Sequence, residues 1–152
     1  MIVVAEIGNT TIHIAAFEES QMIEDWCLLT PKKTATENFE LEFTQFIQSQ
    51  QALFTKPQFE GWILCSVVPW LTPIFREMVR NLIGVIPIVL MRSSPLPIRL
   101  VPGKSPTIGI DRLIVAATAY DLVRSGVITV DIGTATTIDA VTDQGLFLGG
   151  II

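Results

Sequence analysis

Near each end of this 152-residue chain a carboxylate stands beside a glycine and a run of hydroxyls: Glu6-Ile7-Gly8-Asn9-Thr10-Thr11 and Asp131-Ile132-Gly133-Thr134-Ala135-Thr136-Thr137. That combination suits phosphate. Glycine lets the backbone approach an oxyanion closely, and the N–H groups and hydroxyls that follow donate to it. A carboxylate at a strand end can hold a cation through water, because Mg²⁺ usually keeps several of its waters. Two such turns facing each other across a cleft would grip a nucleotide polyphosphate from both sides. A third stretch, Thr107-Ile108-Gly109-Ile110-Asp111-Arg112, leads from a long loop into a helix. The helix dipole stabilises a carboxylate in the first turn, so Asp111 reads equally as helix-start chemistry or as the acceptor of a proton from a substrate hydroxyl. Arg112 beside it could hold a substrate carboxylate through a bidentate fork. His13, the single histidine, falls on the strand face of Thr11 and reads as solvent-facing or loop-contacting rather than as an acid or base.

These residues need elements to carry them. Residues 2–7 form an apolar run that stops at Gly8-Asn9, the pattern of a strand entering a turn. Residues 12–17 and 22–29 read as two further strands of a meander. Thr34-Ala35-Thr36-Glu37 has the pattern of a capping box, followed by Phe39, Phe43, Phe46 and Ile47 on one helical face. Residues 61–68 read as a strand covered on both faces. Thr72-Pro73 predicts a helix with proline at its first position, a stripe of Ile74, Phe75, Met78, Val79, Leu82 and Ile83, and a stop at Gly84. Residues 87–91 read as a short strand and 93–109 as a long loop. A helix is predicted over 109–123 with Leu113, Ala116, Ala117 and Tyr120 buried. Strands follow at 127–132, at 136–141 and from 145 onward.

Each acid–glycine hairpin is followed by a polar turn and a third apolar strand, which reads as an internal repeat. On that reading residues 1–125 are one complete β-β-β-α-β-α-β-α domain and residues 126–152 open a second, incomplete one. A three-strand meander alone leaves its faces uncovered and an edge unpaired, so the sequence predicts a chain that stops within a domain.

Composition limits the function classes. Hydrophobic residues make up 49% and charged residues 16%, with a mean hydropathy of +0.52. A spanning helix needs roughly 18 or more nearly uncharged apolar residues, and no window qualifies, so no membrane role is expected. Residues 1–7 include Glu6 and carry no basic region, unlike a signal peptide. A net charge of −5 argues against nucleic acid as the partner, because phosphate backbones attract basic faces. Cys27 and Cys65 lie in apolar runs without a C-x-x-C pattern and read as buried thiols of a reducing compartment. A cytoplasmic location is the expectation.

Five blocks occur in the order found in type III pantothenate kinases and span nearly the whole chain: Glu6-Ile7-Gly8-Asn9-Thr10, Cys65-Ser66-Val67-Val68-Pro69, Gly109-Ile110-Asp111-Arg112, Asp131 to Thr137, and Gly145-Leu146-Phe147-Leu148-Gly149-Gly150-Ile151. The chain resembles that family. The resemblance implies an α/β protein of the actin/hexokinase (ASKHA) fold, with ribonuclease-H-like domains. Here that means a mixed five-stranded sheet with helices, plus the opening β-meander of a second, duplicated domain. It implies a homodimer that phosphorylates pantothenate, the first step of coenzyme A synthesis, using ATP with Mg²⁺ and a monovalent cation, K⁺ or NH₄⁺.

Position by position, it implies that Glu6, Ile7, Gly8, Asn9, Thr10, Thr11, Ile12 and His13 form the first phosphate loop, with Glu6 toward Mg²⁺. Thr134 would contact the ATP phosphates and Asp131 the monovalent cation. Gly109, Ile110, Asp111 and Arg112 would line the pantothenate pocket, and Asp111 would accept the hydroxyl proton. The chain departs from the family pattern at three points. Glu6 replaces an aspartate. The loop at Arg99-Leu100-Val101-Pro102 lacks the usual tyrosine. The sequence ends at Ile152, where the family continues. Two alternatives stand beside the kinase: a non-catalytic, nucleotide-binding regulatory relative of the same fold, and a kinase acting on another small carboxylate or sugar, since fold does not set substrate.

Overall fold

A computed structural model describes residues 1–55, 59–101 and 108–152, which group into two compact units, Met1–Leu90 and Met91–Ile152. In the first unit, β1 (Ile2–Ile7), β2 (Thr11–Glu18) and β3 (Gln21–Leu29) form an antiparallel meander. After it come a 3₁₀ turn at Lys33–Ala35, α1 (Thr36–Ser49), the single turn α2 (Gln51–Phe54), β4 (Gly61–Ser66), α3 (Leu71–Ile83) and β5 (Ile88–Val89). The strands make one mixed sheet in the order β3-β2-β1-β4-β5, with β4 parallel to both β1 and β5. This is the mixed five-stranded sheet that the sequence predicts.

Period-two alternation sets the register. Val3, Ala5 and Ile7 of β1 and Ile12, Ile14 and Ala16 of β2 are buried, whereas Glu6 and His13 face outward. The buried face meets Phe39, Phe43 and Ile47 of α1 and Leu71, Phe75, Met78 and Val79 of α3. Phe43 sits at the centre, its ring centroid 4.8 Å from that of Phe75 and 6.4 Å from that of Trp62. Burying each such side chain contributes about 1.5–3 kcal/mol. Gly84 ends α3 in the left-handed region, at φ 84°, and its N–H reaches Arg80 O at 3.0 Å, a helix stop that a residue with a Cβ would strain.

Three local expectations change. The predicted capping box does not form: α1 begins at Thr36 behind Ala35, with no side-chain cap. Thr34 belongs instead to the 3₁₀ turn, and the Thr36 hydroxyl donates back to Lys33 O at 3.0 Å. Pro73 is the third residue of α3, not the first, a position whose N–H would have no helical acceptor in any case. Cys65 is buried as predicted, but Cys27 is exposed, because Trp26 and Leu28 turn toward the core and alternation turns Cys27 away.

The second unit contains β6 (Arg99–Leu100), α4 (Ile110–Val123), β7 (Val127–Ile132), β8 (Thr136–Val141) and β9 (Leu146–Ile151), in the sheet order β6-β9-β8-β7. The short strand β6 lies in the segment predicted as loop. It runs parallel to β9, and Arg99 fixes it there through N–H to Gly145 O at 2.8 Å and Nη2 to Gln144 O at 3.1 Å. Ile110, Leu113, Ala116 and Ala117 are the buried residues of α4, which packs against β7 and β8. The sequence places α4 at the close of a first repeat, whereas in the structure it lies beside the strands that follow it, within the unit Met91–Ile152. The two meanders share a feature, a register shift late in the middle strand, at Ala16/Phe17 in β2 and at Ala140/Val141 in β8.

Candidate functional site

The tip of the first hairpin spans residues 8–11, between the paired Ile7 and Ile12. Gly8 N–H donates to Thr11 O at 2.9 Å. A Cβ on Gly8 would lie 3.1 Å from Thr11 O, so the tight turn itself calls for glycine there. Thr30, just past β3, braces the loop from outside: its hydroxyl donates to Gly8 O at 2.7 Å and its N–H to Thr10 O at 2.9 Å. The Thr11 hydroxyl and His13 Nε2 are 3.1 Å apart, and Cys27 Sγ lies 3.9 Å from the same nitrogen. His13 is thus exposed, with contacts to Thr11 of β2 and Cys27 of β3. Glu6 is exposed and stands opposite His13 on β2 and Cys65 on β4. Ile7 and Ile12 are fully buried, so their side chains belong to the core.

Beside this tip lies a cavity of about 470 Å³ lined by Asn9, Thr10, Thr30, Pro31, Lys32, Lys33, Val68 and Trp70. Its two ammonium groups were not anticipated from sequence. Their signal was a basic pair immediately after the strand that returns to the glycine turn.

The tip of the second hairpin is one residue shorter: residues 133–135 separate the paired Ile132 and Thr136. Gly133 N–H donates to Ala135 O at 3.2 Å. A Cβ on Gly133 would be 3.9 Å from that oxygen, which is ordinary contact. Asp131, Ile132 and Thr134 are exposed, and Thr137 stands opposite Asp131. Among the described residues no three His, Cys, Asp or Glu side chains converge on a metal-sized site. Each hairpin by itself offers one exposed carboxylate, Glu6 in the first and Asp131 in the second. That chemistry fits a Mg²⁺ ion held largely by water and by substrate phosphates.

Gly109 is the N-cap of α4, and the side chain of Ile110 is buried, so Ile110 can meet a substrate only through its backbone. The half-buried Asp111 accepts the backbone N–H of Arg112 on Oδ1 at 2.8 Å. Arg112 does not extend freely: its Nε donates to Asp139 Oδ2 at 2.8 Å and its Nη2 to Asp139 Oδ1 at 2.6 Å. The expected fork toward a substrate therefore has its Nε–Nη2 side already occupied. The hydrogen bond to Asp139, reinforced by the charges of Asp139 and Asp111, raises the Arg112 pKa above its ordinary value against the opposing cost of burial. Arg92 Nη1 donates to Ile108 O at 2.6 Å and fixes the approach to the helix. Thr107 lies outside the described residues. Asp139 was missed in sequence, because an aspartate in a strand following a Thr-rich turn carries no local sign of burial.

The family model described as type III pantothenate kinase matches residues 2–152. A protein of that name from Moorella thermoacetica is 31% identical over the whole chain, and one from Citrifermentans bemidjiense is 28% identical. The chain spans 59% of the length of each. Among solved structures, the Ppx/GppA family member of Aquifex aeolicus matches with a TM-score of 0.55 at 16% identity, over 99% of this chain and 49% of that one. This last likeness shows the fold alone: the sheets and helices are those of the actin/hexokinase class.

Proposed function

The chain belongs to the type III pantothenate kinase family, and from that premise we propose that the protein transfers the γ-phosphoryl group of ATP to the hydroxyl of pantothenate, the first step of coenzyme A synthesis. The observation that carries the reading is the tip of α4, where a half-buried aspartate stands next to an arginine in one helical turn. Asp111 accepts the hydroxyl proton as the oxygen attacks phosphorus, and Arg112 meets the carboxylate of the same substrate. Each glycine-opened hairpin tip, taken by itself, offers backbone N–H groups and hydroxyls suited to phosphate: Gly8, Asn9, Thr10 and Thr11 in the first, Thr134 in the second. Lys32 and Lys33 add positive charge beside the first tip.

Mg²⁺, when bound, neutralises charge on the transferring phosphoryl group; Glu6 would hold it through water, and Asp131 would hold a monovalent cation, K⁺ or NH₄⁺. Catalysis on this reading is positioning plus charge neutralisation. A homodimer in the cytoplasm, and a duplicated domain beginning near residue 126, complete the proposal.

The test is formation of phosphopantothenate by the full-length protein with Mg·ATP. Asp111→Asn is expected to lower turnover by about 10²- to 10⁴-fold; a variant that keeps wild-type turnover removes Asp111 as the base. A second reading, a nucleotide-binding regulatory protein, draws on Glu6, whose extra methylene displaces the carboxylate by more than the roughly 0.5 Å that site geometry tolerates. Calorimetric titration separates the two: binding of Mg·ATP without turnover of pantothenate favours the regulator.

A further inference from the structure

We propose that Asp139 is a positioning residue for the acceptor substrate: it fixes the Arg112 guanidinium by its Nε–Nη2 side, so that the Nη1–Nη2 end is presented to an anionic group of the substrate. This rests on the reading of Asp111 and Arg112 given above and deepens it.

Four observations support the assignment. The pair is bidentate and short, at 2.8 and 2.6 Å, the arrangement in which an arginine loses its freedom to turn. It is also buried: the Asp139 side chain is 2% exposed and that of Arg112 10%. At that burial the two charges are poorly screened and hold each other firmly.

The place of the carboxylate is itself defended. Asp139 on β8 stands opposite Gly150 on β9. A Cβ on Gly150 would fall onto the carbonyl oxygen of Ile138 and come 2.7 Å from Asp139 Oδ1. The backbone of Ile138 alone calls for glycine at 150, and the same glycine leaves room for the carboxylate where it meets Arg112. Finally, Arg112 keeps unused capacity. A guanidinium carries five N–H donors, and Asp139 takes one from Nε and one from Nη2. The pairing therefore leaves Nη1 and the second N–H of Nη2 with capacity to donate elsewhere, on a side chain that is 10% exposed.

The experiment compares Asp139→Asn with Thr129→Val in the full-length protein. Thr129 Oγ1 donates to the backbone oxygen of Asp139 at 3.5 Å, so Thr129→Val perturbs the same strand without touching the carboxylate. In Asp139→Asn the KM for pantothenate should rise by about 10- to 100-fold while the KM for ATP stays within about twofold, and Thr129→Val should shift neither. An unchanged pantothenate KM in Asp139→Asn, or an equal rise in both variants, overturns the proposal. If Asp139→Asn does not fold, the wild type still decides. The Arg112 Nε–H resonance, assigned by its loss in Arg112→Lys, should be protected from solvent exchange and should move when pantothenate is added. A resonance that exchanges like that of a free arginine, or one unmoved by pantothenate at a concentration that supports turnover, sinks the proposal. Absence of any pantothenate turnover in the wild type would instead remove the kinase reading. Protection of the Arg112 resonance, and its response to acetate as a simple carboxylate, would then judge the Asp139 clamp alone.

Discussion

Ile7 and Ile132 hold the same place in two hairpins of like sequence, each between a carboxylate and a glycine, yet one is 0% exposed and the other 81%. The difference lies in what surrounds each strand. In its own unit β1 is an inner strand, flanked by β2 and β4, with α1 and α3 supplying aromatic cover and Thr30 bracing the turn. In its own unit β7 ends the strand order. Its outward residues Ile128, Val130 and Ile132 are all exposed, as are Leu148 and Ile151 of β9. An acid-Ile-Gly motif therefore specifies a hairpin, but not its own stability, which comes from non-local burial.

Matched substitutions sharpen that contrast. Ile7→Ala should cost about 2–5 kcal/mol by loss of transfer energy and creation of a cavity. Denaturant unfolding followed by tryptophan fluorescence reports it cleanly, because Trp26, Trp62 and Trp70 all lie in the first unit. A loss below about 0.5 kcal/mol, the range of neutral surface changes, would mean that Ile7 is not the core residue described. Thr30→Val should cost about 0.5–1.5 kcal/mol, the net worth of one hydrogen bond, and should speed amide exchange at Thr10 and Thr11. Unaltered exchange would show that the loop does not need its brace. Ile132→Ala, at the bottom of the scale, should change stability by no more than about 0.5 kcal/mol. A cost equal to that of Ile7→Ala would contradict the exposed position of β7.

What could be read in advance follows the same division. Strand alternation, the Phe39–Phe43–Ile47 face and the Gly84 stop were legible, because each is written in residues close together in sequence. The start of α1 was misread, since Thr34 could either cap a helix or enter a 3₁₀ turn, and the local pattern does not choose between them. Cys27 was misread because an apolar run conceals which alternate residue faces out. β6 was hidden in a proline-rich stretch, its pairing supplied by β9 much later in the chain. Within the candidate site, Asp111 and the two glycine turns were visible as motifs. Asp139 was not: its significance depends on Arg112, 27 residues earlier, and on a glycine at 150 that makes room for it. Contacts of that span leave no periodic trace.

The proposal that the first hairpin tip binds nucleotide phosphate is tested most directly by titrating the full-length, isotopically labelled protein with Mg·ATP and following the backbone amides of residues 8–11 by NMR. These amides should shift and saturate with one Kd. Amides that stay unmoved at a Mg·ATP concentration that supports turnover would contradict it.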